Sequence, residues 1–99
     1  MTLVNKRDWA ARIEKELREN ILPFWMRNAV DRETGGFYGK IDCDGHIGRE
    51  APRASVIHSR ILWTFSAACR LVDVEYRATA DWAYDYIVKK FWDAGYGGV

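Results

Sequence analysis

The sequence predicts an all-α fold built on an antiparallel helical hairpin, and three segments carry that expectation. Residues 8–27 read as an amphipathic helix, residues 55–72 as a helix apolar on nearly every side, and residues 74–91 as a second amphipathic helix after a very short turn. A helix apolar all round must be surrounded by protein, whereas a helix with one wet face lines an outside. That pairing is the unit from which helical barrels and solenoids are assembled.

Each element follows from its residues. From Asp8, a good N-cap, the apolar residues Trp9, Ile13, Leu17 and Ile21 recur every fourth position and draw one stripe. Opposite charges four apart (Arg12 with Glu16, Glu14 with Arg18, Lys15 with Glu19) mark the other face as solvated. Pro23 is expected to kink or end this helix, with Phe24, Trp25 and Met26 forming a final turn. In the stretch from Asp31 to Glu50, Phe37, Gly39 and Ile41 alternate with Tyr38, Lys40 and Asp42, which predicts a short β-hairpin turning at Asp44-Gly45. Pro52 closes the loop and Ser55 is placed to cap the apolar helix, whose apolar members include Val56, Ile57, Ile61, Leu62, Trp63, Phe65 and Leu71. Asp73 caps the last helix, with a stripe of Tyr76, Ala80, Ala83, Tyr84, Ile87 and Phe91 and with Lys89 and Lys90 near the C-terminal dipole.

Composition narrows the function classes. The 99 residues are 48% hydrophobic with five tryptophans, the inventory of one small globular unit. A chain of this size removes only roughly 60–65% of its unfolded surface from water, so its own core is modest. The formal charge is +1 with both signs interspersed, which gives no footprint for nucleic acid or an anionic membrane and points to a neutral partner. The first residues lack an apolar core of signal-peptide length and no apolar run approaches about 20 residues, so a soluble, cytoplasmic protein is expected. Cys43 and Cys69 stand in dissimilar segments and read as free thiols. They cannot join His46 and His58 in one zinc site, because His58 and Cys69 lie roughly 16 Å apart along one helix. Asp42, Asp44 and Gly45 open like a calcium loop but lack the later oxygen ligands, and read as a turn.

A faint internal repeat is also present. Phe24-Trp25, Asp31 and Gly35-Gly36-Phe37 are echoed by Phe91-Trp92, Asp93 and Gly97-Gly98-Val99, with a shorter spacer in the second copy. The interval of about 60 residues exceeds the roughly 33–47 of common helical solenoids. The glycine pairs lack the signature of a phosphate loop and serve to turn the backbone.

Three stretches, Ile21 to Gly45, Ser59 to Leu71 and Ala83 to Val99, resemble in order and spacing consecutive segments of the N-acylglucosamine 2-epimerase family, its cellobiose 2-epimerase-like members in particular. The resemblance implies the N-terminal part of an (α/α)6 barrel, here three main helices plus a short β-hairpin, with residues 1–99 an incomplete part of a sugar epimerase domain. On this reading 55–72 is an inner helix and the other two are outer ones, and the stop at Val99 falls inside a repeat. The family removes the C2 proton of an aldose to give an enediolate and returns a proton to the other face, or to C1 in isomerase-type members. It uses two histidines as acid and base and needs no metal or nicotinamide cofactor. A pKa near 6.5 suits histidine to that task. Those histidines lie in later segments of the family, so no catalytic residue is expected among these 99.

Four residues are candidates for contact with a mono- or disaccharide. Arg60 matches the family's arginine near the reacting carbons; within an apolar helix its charge needs either a sugar hydroxyl or an interhelical salt bridge. His58 lies in the first turn, roughly 200° around the helix from Arg60, and is a rim ligand or a satisfied core histidine. Trp63 and Tyr38 offer aromatic faces to a sugar ring or simply pack. Two rival functions remain at this level. One is a helical interaction module that self-associates through the exposed apolar helix 55–72, and the other is part of an (α/α)6 glycoside hydrolase working through paired carboxylates.

Overall fold

The computed structural model describes residues 5–98 and is helical, with three long helical segments and no sheet among the described residues. The first, α1, runs over 6–29 without a break. It starts at Asn5 rather than Asp8, because the Asn5 side chain already accepts the Arg7 N–H at 2.8 Å and caps the helix earlier. Pro23 does not end it. Residues Leu17–Ile21 form a wide π turn in which the Leu22 N–H donates to the Leu17 carbonyl, and this widening just before Pro23 accommodates a residue with no N–H of its own. A second π turn, Trp25–Ala29, completes the helix.

Of the three expected ion pairs on α1, Glu14 with Arg18 and Lys15 with Glu19 form, at 3.1 and 4.0 Å. Arg12 instead lies over the Trp9 ring, 4.8 Å from its centre, and Glu16 accepts from Asn20. The predicted apolar stripe exists but its first half has no cover among the described residues: Trp9 and Ile13 are exposed and no residue of Lys6–Glu16 is buried. Burial on α1 begins at Leu17 and Leu22.

The second helix, α2, spans Ser55–Leu71. Its N-cap is Ala54; Ser55 lies inside the first turn, where its carbonyl accepts from the Ser59 hydroxyl. The third, α3, covers 74–91: a 3-10 turn Val74–Tyr76, an α-helix Arg77–Tyr86 and a π turn Ile87–Phe91. Asp73 caps it as expected, its carboxylate accepting the Glu75 N–H at 2.9 Å. α2 and α3 pack against each other as a hairpin, and Arg18 ties α1 to their junction by donating to the Val72 carbonyl at 3.1 Å.

The core joins Leu22, Ala29, Val30 and Phe37 to Ile61, Phe65 and Ala68 of α2 and Tyr76, Ala80 and Ala83 of α3. Phe37 and Phe65 are almost wholly removed from water, worth about 1.5–3 kcal/mol each in transfer energy. Helix α2 is not buried all round. His58, Ile61, Phe65 and Ala68 face inward while Val56, Trp63 and Leu71 are exposed, so its outer face is covered by none of the described residues. Tyr84, assigned to the inner stripe of α3, also faces out.

The β-hairpin is not present. The segment between α1 and α2 holds two isolated antiparallel bridges, Val30 with Phe37 and Ile41 with Ile47, and no ladder. The turn itself sits where expected, with Gly45 N–H donating to Asp42 O and Gly45 at φ +86°. Beyond it the alternating residues cannot pair further, because the Gly39 backbone is pressed against Pro52; a Cβ at Gly39 would lie 2.1 Å from the Pro52 carbonyl oxygen. The backbone thus folds onto the loop before α2 instead of onto a second strand.

Candidate functional site

The loop 31–37 organises the molecule's polar interior. Asp31 is buried, and its carboxylate accepts the N–H groups of Glu33 and Thr34 at 2.9 and 3.2 Å, the Thr34 hydroxyl, and the Arg53 guanidinium. Burial pushes the carboxyl up, but the bonds from Thr34, Arg53 and the Glu33 backbone outweigh it and hold Asp31 well below the usual carboxylate range. Arg53 also donates to Gly35 O at 2.7 Å, and the Asp31 charge overcomes burial to hold it firmly protonated.

His58 is part of this interior. Its Nδ1 lies 2.8 Å from Ala54 O and its Nε2 accepts the Phe37 N–H at 3.1 Å, which makes it a neutral imidazole protonated on Nδ1. Its ring stacks on Tyr86 at 4.7 Å and meets Phe37 and Phe91 edge-on. Burial, and then the nearby Arg53 charge, lower its pKa. Fully buried and bonded at both nitrogens, His58 has no atom left for a sugar hydroxyl. The rim contact considered from the sequence gives way to a role in pinning the Gly-Gly loop to the start of α2.

Arg60, two residues on, points the other way, as the helical angle requires. It is exposed, and it forms no ion pair with a described residue. It borders a mostly apolar cavity of about 150 Å³ between α1 and α2, lined by Leu22, Trp25, Ile57, Ile61 and Phe65 among others. Trp25 and Ile57 also line a second cavity of about 260 Å³ that reaches Tyr38, Lys40 and Asp42. Arg60 and Tyr38 therefore sit at opposite ends of one groove whose middle is Trp25 and Ile57. Neither cavity alone attains the roughly 300–1,000 Å³ of a formed ligand pocket, so the groove is a wall rather than a closed site.

Trp63 is not in this groove. It is 73% exposed and borders a separate depression with Ser66, Ala67, Arg70 and Leu71. Tyr38 is half-buried, with the guanidinium carbons of Arg49 and Arg53 5.4 and 5.5 Å from its ring centre and its hydroxyl accepting from Arg49 at 3.1 Å. Its ring is engaged by the two guanidinium groups. A residue the sequence did not mark as a site residue is Trp25, which read as part of a final helical turn and of the internal repeat; the signal was its place four residues before Ala29, where the helix turns inward. Asp42, Asp44 and His46 cluster on the exposed turn, where Asp42 accepts the N–H groups of both others and simply shapes it.

These features define a helical-hairpin protein in which an open groove combines an aromatic floor with a guanidinium that has no ion-pair partner among the described residues. No family model matches the chain, but individual relatives do. It is 43% identical over 88 residues to a cellobiose 2-epimerase of Bacteroides fragilis, an alignment covering 88% of this chain and 22% of that protein. The structure of cellobiose 2-epimerase from Bacillus thermoamylovorans superposes with a TM-score of 0.88 at 34% identity, covering 94% of this chain and 24% of that one. A sugar epimerase from a ruminal bacterium matches with a TM-score of 0.81 at 38% identity, covering 90% and 23%. The chain is a homologue of the cellobiose 2-epimerases, spanning about a fifth of their length.

Proposed function

We propose that these 99 residues form part of the cleft wall of a carbohydrate 2-epimerase or aldose–ketose isomerase, within an (α/α)6 barrel in which α2 is an inner helix and α1 and α3 are outer ones. Arg60 is the substrate contact and Trp25 the apolar floor beneath the sugar ring. The observation that carries this reading is Arg60: a guanidinium without an ion-pair partner among the described residues, set over an apolar groove in a homologue of epimerases. A guanidinium there suits the chemistry, since removal of the C2 proton builds negative charge on the adjacent oxygens, which a fixed donor fork stabilises more in the transition state than in the ground state. Proton transfer itself falls to histidines outside these residues, as His58 is held neutral with both nitrogens engaged and His46 lies on the exposed turn. The sugar is of the cellobiose, mannose or N-acyl-hexosamine class.

The test has two arms. The 99-residue chain is expected to leave cellobiose, mannose and N-acetylmannosamine unchanged, and turnover by it would overturn the assignment of proton transfer to other residues. In an epimerase carrying this segment, Arg60→Ala is expected to lower kcat roughly 10²–10³-fold, the usual loss of one transition-state donor. Unchanged kcat removes Arg60 from the site.

A second reading rests on Val56, Trp63 and Leu71, which expose the outer face of α2. We infer self-association of the isolated chain through this face, and sedimentation of a folded monomer at micromolar concentration would rule it out.

A further inference from the structure

Two loops of this chain share one hydrogen-bond scheme, and among the described residues one of them is covered by side chains and the other is not. In the first, the Asp31 N–H donates to Gly36 O at 3.0 Å, the Gly35 N–H to Asp31 O at 3.0 Å, and Asp31 Oδ1 accepts the N–H groups of Glu33 and Thr34. In the second, the Asp93 N–H donates to Gly98 O at 2.7 Å, the Gly97 N–H to Asp93 O at 2.7 Å, and Asp93 Oδ1 accepts the N–H groups of Gly95 and Tyr96 at 2.9 and 3.1 Å. The helices leading in also end alike, each with a π turn and then an extended residue: Val30 at φ −71°, ψ 125° and Trp92 at φ −71°, ψ 128°. Both glycine pairs take positive φ, 89° and 66° in the first loop, 78° and 82° in the second. The sequence echo is thus a structural repeat, in register from Ala29 and Phe91 onward. The Phe-Trp pairs are not its matched positions, so the spacer is not shortened.

The surroundings differ. Arg53 donates one arm to Asp31 Oδ2 and the other to Gly35 O, the Trp82 indole N–H donates to Gly36 O at 2.8 Å, and the Tyr86 ring lies against both glycines. The equivalent acceptors of the second loop are Asp93 Oδ2, Gly97 O and Gly98 O. Asp93 is exposed and pairs with no cation among the described residues, and a Cβ on Gly97 or Gly98 would meet nothing within 4 Å.

We propose that the loop 93–98 is a guanidinium-binding dock. Its partner is a helical hairpin built like residues 51–91, presenting an arginine just before its first helix and an aromatic residue from its second. The first loop demonstrates the fit within the same chain, and the geometry selects arginine over lysine, because one planar fork must reach a carboxylate and a carbonyl together. This inference is independent of any sugar bound near Arg60.

The test uses the ¹⁵N-labelled chain titrated with the capped peptide acetyl-Ala-Pro-Arg-Ala-amide, which copies residues 51–54, and with its lysine analogue. The arginine peptide is expected to shift the amides of Gly95, Tyr96 and Gly97, with the lysine analogue weaker. Asp93→Asn keeps the acceptor that holds the loop but removes the charge, and is expected to weaken binding roughly tenfold. The amides of Glu33 and Thr34 stay still, since Arg53 already occupies their loop, and respond only in Arg53→Ala. No shift at the 93–98 amides, equal shifts with the lysine peptide, or unchanged binding in Asp93→Asn overturns the proposal.

Discussion

The loops at 31–36 and 93–98 have the same backbone in opposite surroundings. One lies under an arginine, a tryptophan and a tyrosine with its aspartate buried; the other has its aspartate in water. What they share is local, since an aspartate that accepts two backbone N–H groups and two glycines at positive φ suffice to make the turn. What separates them comes from a distance: Arg53, His58, Trp82 and Tyr86 convert a turn into the polar centre of a fold. Stability should therefore be concentrated at the first loop, and matched substitutions in the two loops should have unequal effects.

The largest difference is expected at the ion pair. Arg53→Ala leaves Asp31 buried without its cation, and breaking such a pair typically costs about 3–5 kcal/mol. Urea or thermal unfolding of the variant measures it. The same carboxylate adds a pH dependence. Its folded pKa lies below its unfolded one, so its contribution is present above the unfolded value near 3.9 and is lost as pH falls below it. An Arg53→Ala variant should show a shallower acid limb; an unchanged one means the pair does not carry the stability assigned to it.

The glycines come next. At Gly36 a Cβ would stand 2.7 Å from the Tyr86 ring as well as forcing a side chain to φ +66°, whereas at Gly98 only the backbone cost applies. Gly98→Ala is expected to cost about 1–2 kcal/mol, and Gly36→Ala a further ~1–3 kcal/mol from overpacking. Combining Gly36→Ala with Tyr86→Ala should return part of that excess, and strict additivity in the cycle would show that the ring is not the obstacle.

His58 offers a smaller effect with its own pH signature. His58→Phe keeps a ring on Tyr86 but strands the Phe37 N–H, at about 1–3 kcal/mol. Because its folded pKa is lowered from 6.5, wild-type stability should be full above that pH and decline as pH falls below it, when the unfolded chain takes up a proton that the buried imidazole refuses. The decline should vanish in His58→Phe. Denaturant midpoints from pH 5 to 8 check both.

The same contrast marks how far the sequence could be read. Helix positions followed from four-residue spacing, and Asp73 from capping chemistry, since both are encoded by neighbours in the chain. Pro23, expected to kink or end the helix, does not end it, because the π turn before it absorbs the missing N–H, which no local pattern announces. The hairpin misled because alternation at Phe37, Gly39 and Ile41 describes side chains, while the approach of Pro52 to Gly39 is a tertiary fact. The family resemblance and the oddity of a charge in an apolar helix single out Arg60, whose contact with a sugar is the proposal made above. The roles of Trp25 and Arg53 were not legible, for each depends on a partner from another element.

The smallest expected effect is the sharpest test of the contrast. Asp93→Ala removes two side-chain hydrogen bonds to backbone N–H groups, the pair that Asp31→Ala would also remove along with those from Thr34 Oγ1 and Arg53, but at an exposed loop where water replaces them. Its effect on unfolding should lie within about ±0.5 kcal/mol, the range for surface positions, while the amides of Gly95 and Tyr96 exchange faster because their acceptor is gone. A loss comparable to that of Arg53→Ala would mean that the turn, rather than its cover, holds the stability, and the two loops would then be alike in energy as well as in backbone. A small loss in solution that grows when a partner arginine is bound would place the energy in the docked contact, as it is placed at Asp31.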